Sequence, residues 1–354
     1  MELPSRTSGD QHFQPGELRD IRARLRRIAT KHDLVTVIAC SFDHRTRILP
    51  FIFADVRMAP AGVRAIGAAM LDSGFEKTRI VLQHWNRNFD PAQMQLDGRI
   101  PDIFLVSAMR LHHDAFVELM RSVCRIPPER RPLVIVGGPQ TIYEPWTVFG
   151  TDENNPWSAD LAITGEEYVL LATLETLLNE RAEGEPIRQT FQRVRDAGGL
   201  DYIPGLVYSK TQRADGLAEE LVDTGIQRLG QDLNEQAMPA PAYRILEAPS
   251  HGAILASQPL PAERVKRYTP ISSLVMTLGC KFSCQYCPIP AYNQRMYRVK
   301  SGQRIADEIE SLRREFGIRF YFGADDNFFN DPSKTLDICE ALMQREINGQ
   351  PLRK

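Results

Sequence analysis

The sequence predicts an α/β protein: a doubly wound, Rossmann-like sheet followed by further βα units. Three observations carry this. Between Val35 and Leu177, short aliphatic runs alternate with stretches of helical periodicity, the pattern of parallel strands covered on both faces. Polar and glycine residues gather where those runs end, as they do at the ligand-binding edge of open α/β sheets. After Pro270, a strand pattern, a capped helix, a second strand and a second capped helix follow in order.

Residues 1–33 read as an N-terminal extension. Leu18, Ile21, Leu25 and Ile28 recur at helical spacing among five arginines, which predicts a docked helix with a solvated basic face. Its apolar residues are few and none is aromatic, unlike a helix that lies on a membrane. Residues 34–182 read as the sheet domain. Runs at 35–42 and 48–54 flank a hairpin-like Asp43-His44-Arg45-Thr46. A helix carrying Val63, Ile66, Met70 and Leu71 stops at Gly74. Strands follow at 80–82, 103–107, 133–136 and 161–164, with a helix around 115–121. His112 and His113, beside Asp114, read as surface residues, and Trp85, Trp146 and Trp157 stand near strand ends, as cavity lining or as core.

Proline and glycine recur through residues 183–268, which read as a linker subdomain with one strand at 203–209 and an irregular crossing at 233–243. Residues 269–354 open on the β-prone run 271–278. Ser301 then caps a helix with Ile305, Ile309, Leu312 and Phe316 inward, and Gly317 ends it. A strand at 319–322 leads to Asp331-Pro332, an N-cap followed by proline at the first helical position. Cys339, among apolar residues on that second helix, reads as core.

A net charge of −2 argues against nucleic acid as a partner. No apolar run reaches the roughly 18 residues of a membrane span, and the polar N-terminus is no signal peptide. Six cysteines, three of them in one loop, suit a reducing cytoplasm better than a disulfide framework.

Those three, Cys280, Cys284 and Cys287, form a C-x3-C-x2-C set behind the predicted strand. Three thiolates in one short loop can hold three irons of a [4Fe–4S] cube and leave the fourth open. Structural zinc is the rival reading, but it usually takes four ligands in C-x2-C-type pairs, and no fourth cysteine or histidine is close in sequence.

The spacing resembles the radical S-adenosylmethionine (SAM) enzymes, whose signature follows the first strand of a partial (β/α) barrel. The resemblance implies that the open iron chelates SAM and that one electron cleaves it to a 5′-deoxyadenosyl radical. Tyr286 matches the aromatic that packs near the adenine. Asp325 and Asp326 fall where the family contacts the SAM amino group, a use that suits carboxylates; capping of the loop before Asp331 is the alternative. The family barrel has six βα units, and residues 269–354 hold two. They therefore read as an incomplete barrel and the chain as a fragment, expected to lack the ribose side of the SAM site.

The first sheet resembles the cobalamin-binding domains that often precede this type of barrel. Their pattern is D-x-H-x-x-G, then S-x-L, then G-G. Here Asp55 and Arg57 fall in the first frame, Ser107 in the second, and Gly137 and Gly138 in the third. Glu166 stands in a G-E-type turn that matches the cofactor edge, or simply opens a helix where a carboxylate favours the dipole. Arg57 replaces the family's cobalt-ligating histidine, and a guanidinium has no lone pair to give a metal. Some radical SAM members lack that histidine, so cobalamin stays a possible second cofactor, without a lower ligand from this position.

Together these resemblances imply a cobalamin-type radical SAM enzyme. Its expected chemistry is methyl transfer to an unactivated atom, or radical cyclisation or rearrangement, of a small-molecule substrate, with an electron donor such as flavodoxin or ferredoxin. Methylthiotransfer is disfavoured, because only Cys40 and Cys124 lie upstream where that family has a second trio. A non-catalytic protein that binds a cluster or a corrinoid is the alternative.

Overall fold

The aliphatic runs become strands because each serves two apolar layers at once. Ile38, Ile80, Leu105 and Ile135 point into one core, and their neighbours Val37, Val81, Val106 and Val134 into the other, the period-2 alternation of an extended chain. The computed structural model describes residues 12–44, 58–211, 216–250, 252 and 254–352. In chain order the sheet domain contains α1 (Glu17–Ala29), β1 (Thr36–Cys40), α2 (Ala61–Asp72), β2 (Thr78–Leu82), β3 (Ile103–Ser107), α3 (His113–Cys124) and β4 (Leu133–Gly137). It continues with the short α4 (Pro139–Tyr143), β5 (Leu161–Ile163), α5 (Glu167–Glu180), α6 (Ile187–Asp196), β6 (Leu206–Ser209) and β7 (Leu221–Asp223).

Among the described residues these strands make one seven-stranded sheet in the order β2-β1-β3-β4-β5-β6-β7, parallel through β5 and antiparallel thereafter. The reversal between β1 and β3 is a topological switch point, where such sheets open a crevice beyond the strand ends. The basic helix α1 is docked by Leu18, Ile21 and Leu25, and its buried Arg22 donates to Asp72 at 2.7 Å.

Residues 183–268 do not form the separate linker subdomain that their proline and glycine content suggested. β6 and β7 extend the sheet, and the following crossing covers the edge of β2: Glu247 N–H donates to Ile80 O at 2.7 Å, and Arg79 is paired with buried Glu247 at 2.5 Å. β6 lies within the strand expected at 203–209, whereas the largely exposed edge strand β7 carries little hydrophobic alternation and was hidden by composition. The hairpin expected at 43–46, and the strand expected at 48–54, fall wholly or partly outside the described residues.

The second part holds α7 (Ala262–Tyr268), β8 (Ile271–Leu274), β9 (Thr277–Leu278), α8 (Ile289–Tyr292), β10 (Arg298–Val299), α9 (Gly302–Phe316), β11 (Phe320–Gly323), α10 (Pro332–Gln344) and a small hairpin of β12 (Glu346–Ile347) and β13 (Gln350–Pro351). β8 and β11 pair in parallel across α9, one βαβ unit. Ile305, Ile309, Leu312 and Phe316 of α9 join the core that runs beneath the sheet, so the two parts share one apolar interior. Local signals worked here. Ser301 Oγ accepts from Arg304 N–H at 3.2 Å, Gly317 closes α9 in the left-handed region, and Asp331 caps α10 ahead of Pro332.

Two side-chain expectations are corrected. Cys339 is exposed rather than core: α10 buries Thr335 and Ile338, and the next residue lies about 100° further round the helix. His112 is buried rather than on the surface, and its Nδ1 accepts from Asp43 N–H at 3.2 Å. Of the tryptophans, Trp157 is core, Trp85 is partly buried and Trp146 is exposed. No helix among the described residues is long and apolar enough to cross a membrane.

Candidate functional site

The cysteine loop is closed at its base by β9 and β10, which pair antiparallel with Leu278 opposite Arg298. Gly279 turns the chain out of β9 at φ 88°, and a Cβ there would lie 1.9 Å from Met296 O, so no other residue fits. The backbone N–H groups of the two residues that flank Cys280 are both tied down. Gly279 N–H donates to Asp326 Oδ2 at 2.8 Å, and Lys281 N–H donates to Asn330 Oδ1 at 3.1 Å. Cys284 is exposed and Cys287 half-buried, with Cys287 N–H closing a turn on Cys284 O at 3.1 Å. Tyr286 between them is exposed.

All six cysteines are free. Burial pushes the Cys40 thiol up to about 12 and also raises that of Cys124, so neither offers a thiolate. Among the described residues no three ligand-type side chains are gathered as a metal set, so the loop presents its thiols ungathered. The donor chemistry fits an iron–sulfur cluster with an open iron: three free thiols on one loop, one of them rigidly placed.

Asp325 and Asp326 both brace the approach to this loop. Asp325 Oδ1 accepts from the Met276 and Thr277 N–H groups at 2.8 and 2.6 Å and from Thr277 Oγ1 at 3.1 Å. Its Oδ2 is buried without a hydrogen-bond partner, and desolvation raises its pKa despite those three bonds. Asp326, exposed, holds Gly279.

A cavity of about 540 Å³ lies at the carboxyl ends of the strands and runs down between the sheet and helices α2 and α5. Ser107, Gly137, Gly138 and Glu166 all line it, and so does Asp326, with Leu278, Ile289 and Tyr292 of the cysteine-loop region as the facing wall. Four of the sequence-derived residues of the first sheet therefore meet one residue of the second part in one space. Asp55 and Arg57 lie outside the described residues. Gly137 is open to the cavity, since a Cβ there would meet nothing nearer than Ile163 O at 3.9 Å. Gly138 has a different job: at φ 98°, its Cβ would fall 2.7 Å from Ala108 O, so it lets strand ends pack. The open shelf at Gly137, above an apolar slot lined by Ile38, Leu105 and Ile135, fits a bulky group with a flat apolar portion.

Glu166 is on the cavity wall, but Arg298 donates to both of its carboxylate oxygens, to Oε2 at 3.2 Å. Arg298 also donates to Gly230 O at 2.8 Å and Asn293 Oδ1 at 3.1 Å. Burial alone would weaken the guanidinium's charge. Glu166 outweighs that and raises its pKa. This pair ties the start of α5 to the strand that closes the cysteine loop.

The cavity's polar end escaped sequence reasoning. Arg64 of α2 is fully buried there, bonded to Ser273 Oγ at 2.9 Å and Ala59 O at 3.3 Å, with its Nη1 making no hydrogen bond. Glu308 stands 4.0 Å from Arg64 and 3.6 Å from Lys300. Desolvation lowers the pKa of Lys300, and desolvation with neighbouring Glu166 pushes Glu167 up to about 7. One arginine inside the apolar stretch 63–71 was the only signal, and its partners come from distant segments.

No protein-family model matches the chain. It is 25% identical over 249 residues to the cytidylyl-2-hydroxyethylphosphonate methyltransferase of Streptomyces wedmorensis, covering 69% of this chain and 42% of that protein. It is 34% identical over 72 residues to the anaerobic magnesium-protoporphyrin IX monomethyl ester cyclase of Cereibacter sphaeroides, 20% of this chain and 12% of that one. Among solved structures, 88% of the chain superposes on the cobalamin-bound radical SAM enzyme OxsB, with TM-score 0.53 and 17% identity over 38% of that protein. The same share superposes on the radical SAM methyltransferase TsrM of Kitasatospora setae, solved with cobalamin and a [4Fe–4S] cluster, with TM-score 0.53 and 17% identity over 51% of that protein. The resemblance to the cobalamin-type radical SAM enzymes holds. The fold shared with these radical SAM structures is the α/β sheet joined to the βα units behind it. The chain spans about half or less of the length of each of these proteins.

Proposed function

We propose that this chain is part of a cobalamin-type radical SAM enzyme of a reducing, cytoplasmic compartment. It would hold a [4Fe–4S] cluster on Cys280, Cys284 and Cys287 and a corrinoid in the cavity beside them. The observation that carries this is the shared wall: strand-end residues of the first sheet and the braced approach to the cysteine loop face the same space. When bound, such a cluster supplies one electron for reductive cleavage of SAM, and the corrinoid supplies a methyl carrier.

The chain's own residues do the rest. Asp326 and Asn330 hold Cys280 in register, and Asp325 fixes the strand behind it. Asp326, on the cavity wall, would take an ammonium such as that of SAM, buried Asp325 would add its charge from behind, and exposed Tyr286 would pack on the adenine. Gly137 leaves room for the macrocycle, and Ser107 offers its hydroxyl at the slot's mouth. The apolar walls exclude water from that slot.

Methyl transfer to a small-molecule substrate is the favoured reaction, supported by the phosphonate methyltransferase and by TsrM. The cyclase supports radical cyclisation as the runner-up. A small flavodoxin- or ferredoxin-type protein would deliver the electron. Anaerobic reconstitution tests the cluster: about four irons and four sulfides per chain are expected, with uptake lost in Cys284→Ala. Tight zinc retention without iron uptake would overturn the proposal.

A further inference from the structure

Cys280 is the one thiol of the loop whose surroundings are built. Its two flanking N–H groups are held by Asp326 and Asn330, both from the stretch that follows β11. Between those two residues stands Asn327, whose Nδ2 donates to Cys280 Sγ at 3.9 Å. The amide orientation is set independently of the sulfur. Asn327 Oδ1 accepts from Phe329 N–H at 3.2 Å and caps the short 3-10 turn Phe328–Asn330, which leaves the NH2 side facing Cys280. Asn330 is fixed as well, with its Nδ2 on Asn327 O at 3.0 Å and its Oδ1 accepting from Lys281 N–H at 3.1 Å and from the Cys280 thiol at 3.7 Å, a thiol bond that ends once the sulfur is deprotonated to bind iron. The sulfur thus has a positioned side-chain donor before any cluster arrives.

We infer that Asn327 is a positioning residue that tunes the cluster: its amide N–H bonds the Cys280 sulfur and raises the cluster's reduction potential. The inference rests on the cluster reading above and adds to it. The physical reason is that reduction puts more negative charge on the sulfurs, and a donor aimed at one of them stabilises the reduced form more than the oxidised form. The pinned peptides keep Cys280 in place while the exposed stretch 281–286 gathers the other two thiols. Gathering the ligands therefore leaves the Asn327–Cys280 contact intact.

The test is a reductive titration of the reconstituted chain, followed by the paramagnetic signal of the reduced cluster, for the unaltered protein, Asn327→Ala and Asn327→Asp. Asn327→Asp keeps an acceptor for Phe329 N–H while replacing the donor by an anion, so it preserves the turn, removes the bond to sulfur and adds a negative charge beside it, whereas Asn327→Ala removes the bond without adding a charge. At a fixed potential the ratio of reduced to oxidised cluster should fall about tenfold in Asn327→Ala, a shift of about 59 mV for one electron, and further in Asn327→Asp. Equal iron content with an unmoved potential in both variants would overturn the inference while leaving the cluster reading intact. Loss of iron uptake in both would make Asn327 an assembly residue and also overturn it. No iron uptake by the unaltered chain would sink the cluster reading itself, and this inference with it.

Discussion

Replacing Arg298 by methionine strands the carboxylate of Glu166 in the interior. Arg298 and Glu166 are 2% and 4% exposed at their side chains, so water cannot take the cation's place. Breaking a buried pair from one side costs about 3–5 kcal/mol. The upper half of that range is expected, because Gly230 O and Asn293 Oδ1 also lose their donor, at about 1 kcal/mol each. Adding Glu166→Gln removes the stranded charge and should recover about half the loss, about 2 kcal/mol, leaving the double variant well short of the sum of the two singles in a double-mutant cycle. Urea unfolding followed by tryptophan fluorescence is the assay, since Trp85, Trp146 and Trp157 all lie in the sheet domain. A loss under about 1 kcal/mol, or a double variant as unstable as the sum of the singles, would refute a buried strut between α5 and the cysteine loop.

The pH response isolates Glu167. Its folded pKa, about 7, lies above the usual carboxyl value, so the stability it allows is complete below about pH 4.5 and lost as pH rises through 7. Glu167→Gln should therefore match the parent at pH 4.5 and exceed it at pH 8, by up to about 3 kcal/mol at roughly 1.4 kcal/mol per unit; parallel pH profiles would show that the carboxyl is not buried in this way. Gly137→Leu projects into the cavity rather than into protein, so it should abolish corrinoid uptake, read by absorbance after gel filtration, while moving the urea midpoint little. Undiminished uptake would remove the cavity as the corrinoid site.

What was legible in the sequence was what local physics decides. The aliphatic runs at 35–42 and 133–136 were readable because a parallel strand covered on both faces must be apolar along its whole length. The caps at Ser301, Gly317 and Asp331 were readable because a helix end is satisfied by residues within one turn of it. The cysteine spacing was readable for a similar reason, since three thiols in one loop need no distant partner to stand near one another. The strand expected at 203–209 is there as β6, but its antiparallel place beside β5 and the edge strand β7 were not legible, because a short antiparallel add-on is stabilised by backbone bonds that any residue can make. Tertiary structure alone decided that Glu166 meets Arg298, that Arg64 meets Ser273, and that Asn327 faces Cys280. In each case the partners lie far apart in the chain, and their side-chain types are ordinary at the surface. Burial gives them their meaning: once water is excluded, a charge or an amide must take the partner the fold supplies, and sequence order does not record which one that is.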